Sequence, residues 1–339
     1  MKKAKSFVIP PDGKVPPGET MDIRYTVSEN YLGDPVRIPV TIINGKNPGP
    51  CAFLSAASHG DELNGIEVIR KVAQEWNPND LYGTIICLPV LNVPAFLSQE
   101  RYVPTSSEDL NRSFPGIRTG KSIKRMAYSI FKSFIKPCDF GIDFHTSTRG
   151  RSNMLHVLAD LSDENVAPLA HSFGSNIIID GTGPSGTFRR SASEAGIPSI
   201  TVELGEAHRF QHDLIEKALT GLKSVFSAYS VRPTNSVNWP GWRAVISSKE
   251  DTWLRSSVGG IVNLNYNPGE LIEEGSVVCT ITNPFKKDIE DVVSPFTGLI
   301  VGLLQNPIVR PGDPICHLVT LDEKTISEYH ASTQNDNQI

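Results

Sequence analysis

The 339-residue sequence predicts an α/β fold: a mostly parallel or mixed sheet sandwiched by helices, followed by a smaller all-β barrel-sandwich domain. Three observations carry this expectation. Apolar runs of strand length alternate with amphipathic stretches up to about residue 225. From about residue 238 the texture changes to short β-type runs divided by Gly and Pro, and an internal repeat lies within that second part. The expected domain limits are 1–230 and 238–325.

In chain order, "PCAFLSAAS" reads as a buried strand and "ELNGIEVIRKVAQEW" as a helix with Ile66, Ile69, Val72 and Trp76 on one face. "GTIICLPVLN" is the next strand, "SIKRMAYSIFKSFI" is helical, and "CDFGIDFHTS", "NIIID" and "IPSITVELG" are further strands. In sheets built this way ligands sit outside the carboxyl ends of the strands. The repeat pairs "GGIVNLNYNPGELIEEGSVVCTI" (259–281) with "TGLIVGLLQNPIVRPGDPICHLV" (297–319). Each half has an opening Gly before β-branched residues, a Pro-bearing turn, a second Gly (Gly275, Gly312) and a Cys four residues later (Cys279, Cys316). Neither half can bury a face alone, so the two should interlock as a small β-sandwich.

This second part resembles the barrel-sandwich domains of biotinyl and lipoyl carriers. The resemblance would place the carrier lysine at Lys286 or Lys287, in the connecting "NPFKKDIED". The carrier's acidic and Met context is missing there, and the two residues read as solvated lysines on a structural appendage.

Thirty-two Lys and Arg against 37 Asp and Glu leave a formal charge of −5. With no Lys/Arg-rich block, that balance argues against nucleic acid or an anionic membrane as the main partner. No run approaches the roughly 18 apolar residues of a membrane span, and "MKKAKSFVIPPDGK" lacks a signal-peptide core. A soluble cytoplasmic protein acting on small molecules or proteins is expected, with assembly as a homo-oligomer left open. Cys51, Cys87, Cys138, Cys279 and Cys316 show no CxxC spacing, which points away from disulfides and cysteine–zinc sites.

The residues that carry chemistry lie at expected strand ends. "LSAASHGDELNG" places His59 and Glu62 three apart where a strand gives way to a helix. At about one turn's separation they can aim an imidazole and a carboxylate at one point. Zinc accepts such ligands at about 2.0–2.2 Å, three per catalytic site with a place left for water. A surface His and a first-turn Glu favouring the helix dipole would look identical. "GIDFHTST" then puts His145 at a carboxyl strand end on the same edge, and Asp143 two residues earlier either orients a ligand or caps a turn. "IPSITVELGE" brings Glu203 to the end of another apolar strand. A carboxylate beside zinc-held water can act as general base there, because the metal lowers the water's pKa toward about 7. In "QERYVPTSSEDLNRSFPG", Asn111 and Arg112 suit a substrate carboxylate, and Arg101 can neutralise a developing oxyanion. Singly, each arginine reads as an ordinary surface ion pair.

Taken together, "HGDE", "RYVP", "DLNRSFPG", "DFHT" and "IPSITVELG" stand in one order across most of residues 50–210. As a set they resemble the succinylglutamate desuccinylase/aspartoacylase group, a branch of the zinc-carboxypeptidase fold, and in particular its bacterial members with a C-terminal β-domain. The resemblance implies one zinc ion per chain on His59, Glu62 and His145, with Glu203 as base. It further implies Arg101 on the scissile carbonyl, and Asn111 and Arg112 on the carboxylate of the amino-acid substrate. The segment between Arg101 and Asn111 is a few residues longer than in the aspartoacylases proper. Residues that would read a substrate side chain are not matched: Arg151, His156, Arg189 and Arg190 lie in the right part of the chain and each reads as an ordinary polar residue.

The expected activity is hydrolysis of the amide of an N-acyl amino acid to a carboxylate and a free amine. A metallocarboxypeptidase or peptidoglycan-peptide amidase on the same scaffold, an esterase, and a non-catalytic carrier module built on the repeat are the competing readings.

Overall fold

The computed structural model describes residues 4–9, 13–148, 150–233, 242–247 and 251–336. At its centre four parallel strands stand in the order Ser199–Glu206, Phe140–Ser147, Asn47–Ala56 and Tyr82–Leu88. Phe140–Ser147 is buried at every position, as expected of a parallel strand covered on both faces.

The two faces follow from period two along Asn47–Ala56. Ala52, Leu54 and Ala56 pack with Val68, Ile69 and Val72 of the helix Asn64–Glu75 and with apolar residues of Val166–Phe173 and His212–Ala228. Phe53 points the other way, into a cluster with Ile123 of Ser122–Ile130 and Phe188 of Phe188–Glu194. Its ring meets Phe188 edge-on at 5.3 Å, and truncating such a side chain to Ala costs about 3–5 kcal/mol. The expected helix over 122–135 runs as α-helix to Ile130 and continues as a wider π-type turn, Phe131–Ile135.

Antiparallel strands extend both sides. Beyond Tyr82–Leu88 come Pro35–Asn44 and Glu19–Glu29. Beyond Ser199–Glu206 come Arg151–Ala159, Gly298–Leu304, Pro314–Thr320 and Asp251–Arg255. The alternation read from the sequence omits Glu19–Glu29, Pro35–Asn44 and Arg151–Ala159. The last begins Arg-Ser-Asn, a polar start that hides it, although every residue from Leu155 to Ala159 except Leu158 is buried.

The large sheet therefore passes without a break into the C-terminal part. There each half of the repeat forms a strand, a two-residue strand and a second strand: Gly260–Leu264, Leu271–Ile272 and Val277–Asn283, then Gly298–Leu304, Ile308–Val309 and Pro314–Thr320. The short strand of each half pairs with the opening strand of the other, Leu271 against Leu299 and Ile308 against Ile261. This reciprocal exchange buries one shared core of Val262, Cys279, Ile281, Ile300, Cys316 and Leu318. A smaller antiparallel sheet containing Val277–Asn283 and Lys286–Val293 forms the second layer. Residue 238, the expected start of this unit, and the side chains of Lys286 and Lys287 lie outside the described residues. Among the described residues no helix is long and apolar enough to cross a membrane.

Candidate functional site

The carboxyl ends of the four parallel strands form one rim. After Ala56 the backbone turns at Ala57 (φ 48°) and delivers His59 and Glu62 just ahead of the helix that starts at Asn64. Gly60 is required between them, because a Cβ there would lie 2.0 Å from the backbone carbon of Ala95. Its N–H donates to Glu100 O at 2.9 Å, which pins the loop that carries Arg101. On neighbouring strands His145 and Glu203 stand side by side in register.

His59 Nδ1 lies 2.6 Å from Glu62 Oε1, and His145 Nδ1 lies 2.7 Å from Glu62 Oε2. All three side chains are buried, and their donor atoms lie within 4.8 Å of one another. The opposite ring nitrogens are engaged from behind: His59 Nε2 is 3.1 Å from Asp109 Oδ1, and His145 Nε2 is 2.8 Å from Asp143 Oδ2. Both nitrogens of each ring thus face carboxylate oxygens, with Nδ1 turned toward the shared centre and Nε2 held from outside it. Ser55 Oγ donates to Asp143 at 2.7 Å, and the Thr146 N–H donates to Glu62 Oε2 at 3.1 Å. Two imidazoles and a carboxylate converging in this way form a donor set that suits zinc.

The electrostatics follow from burial set against charge pairing. Burial alone would lower the pKa of both imidazoles. At His145, Asp143 and Glu62 overcome it and raise the ring well above its usual value; at His59, Glu62 and Asp109 do the same. Burial opposes ionisation of Glu62, yet the two imidazoles hold it far below the usual carboxylate range. Asp109 is likewise lowered to about 2, against its burial, chiefly by its hydrogen bond with His59. Glu203 goes the other way: burial raises it and Glu62 adds to that, while His145 and a hydrogen bond from Asn153 Nδ2 (3.2 Å to Oε2) oppose it.

Arg101 reaches the same centre. Its NH1 lies 3.3 Å from His59 Nδ1 and 3.7 Å from Glu62 Oε1, and its NH2 donates to Asp109 Oδ2 at 3.3 Å. Asn111 is oriented by the Phe188 N–H, which donates to its Oδ1 at 2.8 Å, and its Nδ2 lies 3.4 Å from His145 Nε2. Arg112 is exposed, and its guanidinium donates to Asn111 O at 2.7 Å rather than to the cluster. Asp143 resolves to the orienting alternative. The four other candidates have local contacts: Arg189 donates to Gly181 O, Arg190 pairs with Glu194, Arg151 lies 5.2 Å over the Trp253 ring, and His156 Nδ1 bonds Met154 O.

A family model for the succinylglutamate desuccinylase/aspartoacylase catalytic domain matches residues 48–229, more than half of the chain. The chain belongs to the succinylglutamate desuccinylase/aspartoacylase family. Within it, a similar curated relative is the N-alpha-acetyl-L-2,4-diaminobutyric acid deacetylase of Halomonas elongata, 24% identical over 266 residues that cover 76% of this chain and 77% of the relative. The product-bound ectoine utilization protein EutE of Ruegeria pomeroyi superposes with a TM-score of 0.80 at 19% identity, covering 90% of this chain and 98% of that one. A succinylglutamate desuccinylase from a Silicibacter species gives 0.79 at 21% identity, over 94% and 100%. At these identities the two structures speak for the fold.

Sequence reasoning passed over Asp109 and Asn153. Asp109 carries a local signal, since it caps the short turn Leu110–Arg112 by accepting the Asn111 N–H at 2.8 Å. Nothing near Asn153 in the sequence marks it, because its partner Glu203 is 50 residues away.

Proposed function

We propose that this chain is a cytoplasmic, zinc-dependent hydrolase that cleaves the amide bond of a small N-acyl amino acid to give a carboxylate and a free amine. The observation that carries the reading is the convergence of His59, Glu62 and His145 within 4.8 Å, beside Glu203 on the next strand. Support for the substrate class comes from the family and from the name of the Halomonas deacetylase. In this reading residues 1–230 form the catalytic domain and 238–325 an appended β-domain.

His59, Glu62 and His145 would hold the zinc ion, which would supply fixed positive charge able to acidify water and polarise a carbonyl. Glu203 takes a proton from the attacking water and returns it to the departing nitrogen; burial raises its pKa, which strengthens it as the accepting base. Arg101 stands within reach of the same centre and stabilises oxyanion charge as the carbonyl is attacked. Asn111, with its amide already oriented by the Phe188 N–H, and Arg112 hold the substrate carboxylate.

The test combines metal analysis of the purified protein with a panel of N-acetyl and N-succinyl amino acids, dipeptides and matched esters. Zinc bound in equimolar amount, amine release from an N-acyl amino acid, and loss of turnover in chelator with recovery on zinc addition are the expected results. Zinc-loaded protein that cleaves dipeptides or esters but no N-acyl amino acid refutes the substrate class, and protein that excludes zinc refutes the site.

A further inference from the structure

We infer that the C-terminal repeat completes the catalytic site: Gly302 forms a seat for the Asn153 side chain, and Asn153 in turn holds the carboxylate of Glu203. The inference rests on the proposed role of Glu203 as base.

The strand Arg151–Ala159 lies between Ser199–Glu206, at the catalytic rim, and Gly298–Leu304, from the second half of the repeat. Asn153 stands opposite Gly205 on one side and opposite Gly302 on the other. Opposed residues of antiparallel strands send their side chains to the same face. Asn153 is thus flanked by a glycine on each neighbouring strand, and its amide meets no cross-strand side chain at either position. The register shifts between Glu203 and Gly205. Glu203 is a diagonal neighbour of Asn153, within reach of its amide, and Nδ2 donates to Glu203 Oε2 at 3.2 Å.

Gly302 decides where that amide can lie. A Cβ at 302 would sit 2.6 Å from Asn153 Oδ1 and 3.4 Å from His317 Cβ. The backbone at 302 has no positive φ, so space rather than conformation calls for glycine. The atom in the way is the far end of a flexible side chain, so a methyl group there is accommodated by turning the Asn153 amide and leaving the strand in place. The consequence falls on Glu203. With Oε2 anchored, Oε1 is left to meet the proton of the attacking water. Without the anchor, the carboxylate samples several orientations and few of them are productive. Asn153 and Gly302 are accordingly positioning residues.

The experiment uses the full chain, zinc-loaded, with Asn153→Ala, Asn153→Asp, Gly302→Ala and the Asn153→Ala/Gly302→Ala double variant, assayed on the best N-acyl amino acid of the panel. Each single change should lower kcat between about tenfold and a hundredfold, with KM within about twofold and zinc content unchanged. Asn153→Asp keeps the size of the side chain but cannot donate, so it should be as impaired as Asn153→Ala, an outcome a merely structural role would not produce. The double variant should be no worse than the worse single one, because both changes act through one amide. In a Glu203→Gln background none of the changes should lower turnover further.

Normal kcat in Asn153→Asp, or additive losses in the double variant, overturns the inference. So does a Gly302→Ala protein that fails to fold, since the clash would then be with backbone and not with the amide. If Glu203→Gln itself retains normal turnover, it is the assignment of the base that fails; if Glu203→Gln is inactive while Asn153→Ala is normal, only the present inference does.

Discussion

His59 and His145 are 2% and 4% exposed, and His156, on the strand beyond Glu203, is 3% exposed, so burial does not distinguish these three imidazoles. Their company does. Three carboxylates, from Glu62, Asp109 and Asp143, face the first two rings. His156 bonds a backbone carbonyl at 3.0 Å and has no carboxylate among its hydrogen-bond partners in the described residues. The same desolvation therefore ends in opposite directions: the rim imidazoles are raised, while burial pushes His156 down to about 4. A buried histidine with one neutral partner is core. A buried histidine with carboxylates on both ring nitrogens has the surroundings that the proposed zinc site calls for.

The sharpest way to break this contrast is to remove the shared carboxylate. Glu62→Gln should abolish zinc binding and lower turnover about ten-thousandfold or more, since the charge that drives the chemistry is lost with the metal. Metal content and steady-state rates check it. Next in size, Glu203→Gln should keep the metal and still lose a factor of about a hundred to a thousand in kcat, the range for a general base. A variant with near-normal kcat would place the base elsewhere. Asp109→Asn and Asp143→Asn test whether the outer carboxylates matter: each should weaken zinc affinity or activity by about 10–100-fold, read by competition with a chelating dye.

His156→Gln should leave zinc content unchanged, because the ring bonds Met154 O and none of His59, Glu62 and His145. Its effect is on stability against pH, and the sign is fixed by linkage. The folded state keeps His156 neutral down to about 4, whereas the unfolded chain takes up a proton near 6.5. Wild-type stability is insensitive to this group above that range and falls by up to about 3 kcal/mol as the pH drops through it. The variant lacks that loss, so the Tm gap between wild type and His156→Gln should narrow on acidification. A gap that stays constant would mean His156 is not held neutral.

Much of the site was legible because the strands run to a common edge. An apolar run ending in a His, a second run ending in a Glu, and a His-x-x-Glu pair after a third are local patterns, and parallel strands bring such ends together by construction. Asp143 was legible for a simpler reason: residues two apart on a strand share a face, and its carboxylate does meet His145. The repeat was equally readable, and its reciprocal strand exchange shows why neither half could stand alone. The strands Glu19–Glu29 and Arg151–Ala159 went unread. The first alternates Met21, Ile23, Tyr25 and Val27 at a clear period, and the second is masked by its polar start.

By itself, then, the sequence determined the layered α/β architecture, the interlocking C-terminal repeat and the residue types at the strand ends, because each depends on periodicity over a few residues. Only the tertiary structure decided which ring nitrogens of His59 and His145 face inward, that Asp109 closes behind His59, and that Asn153 meets Glu203 beside a glycine of the second half of the repeat. The last two contacts join residues 50 positions apart, and they exist through the register in which the strands pair and the loops fold over the rim. That register is set by how the whole core packs, which no local stretch of sequence encodes.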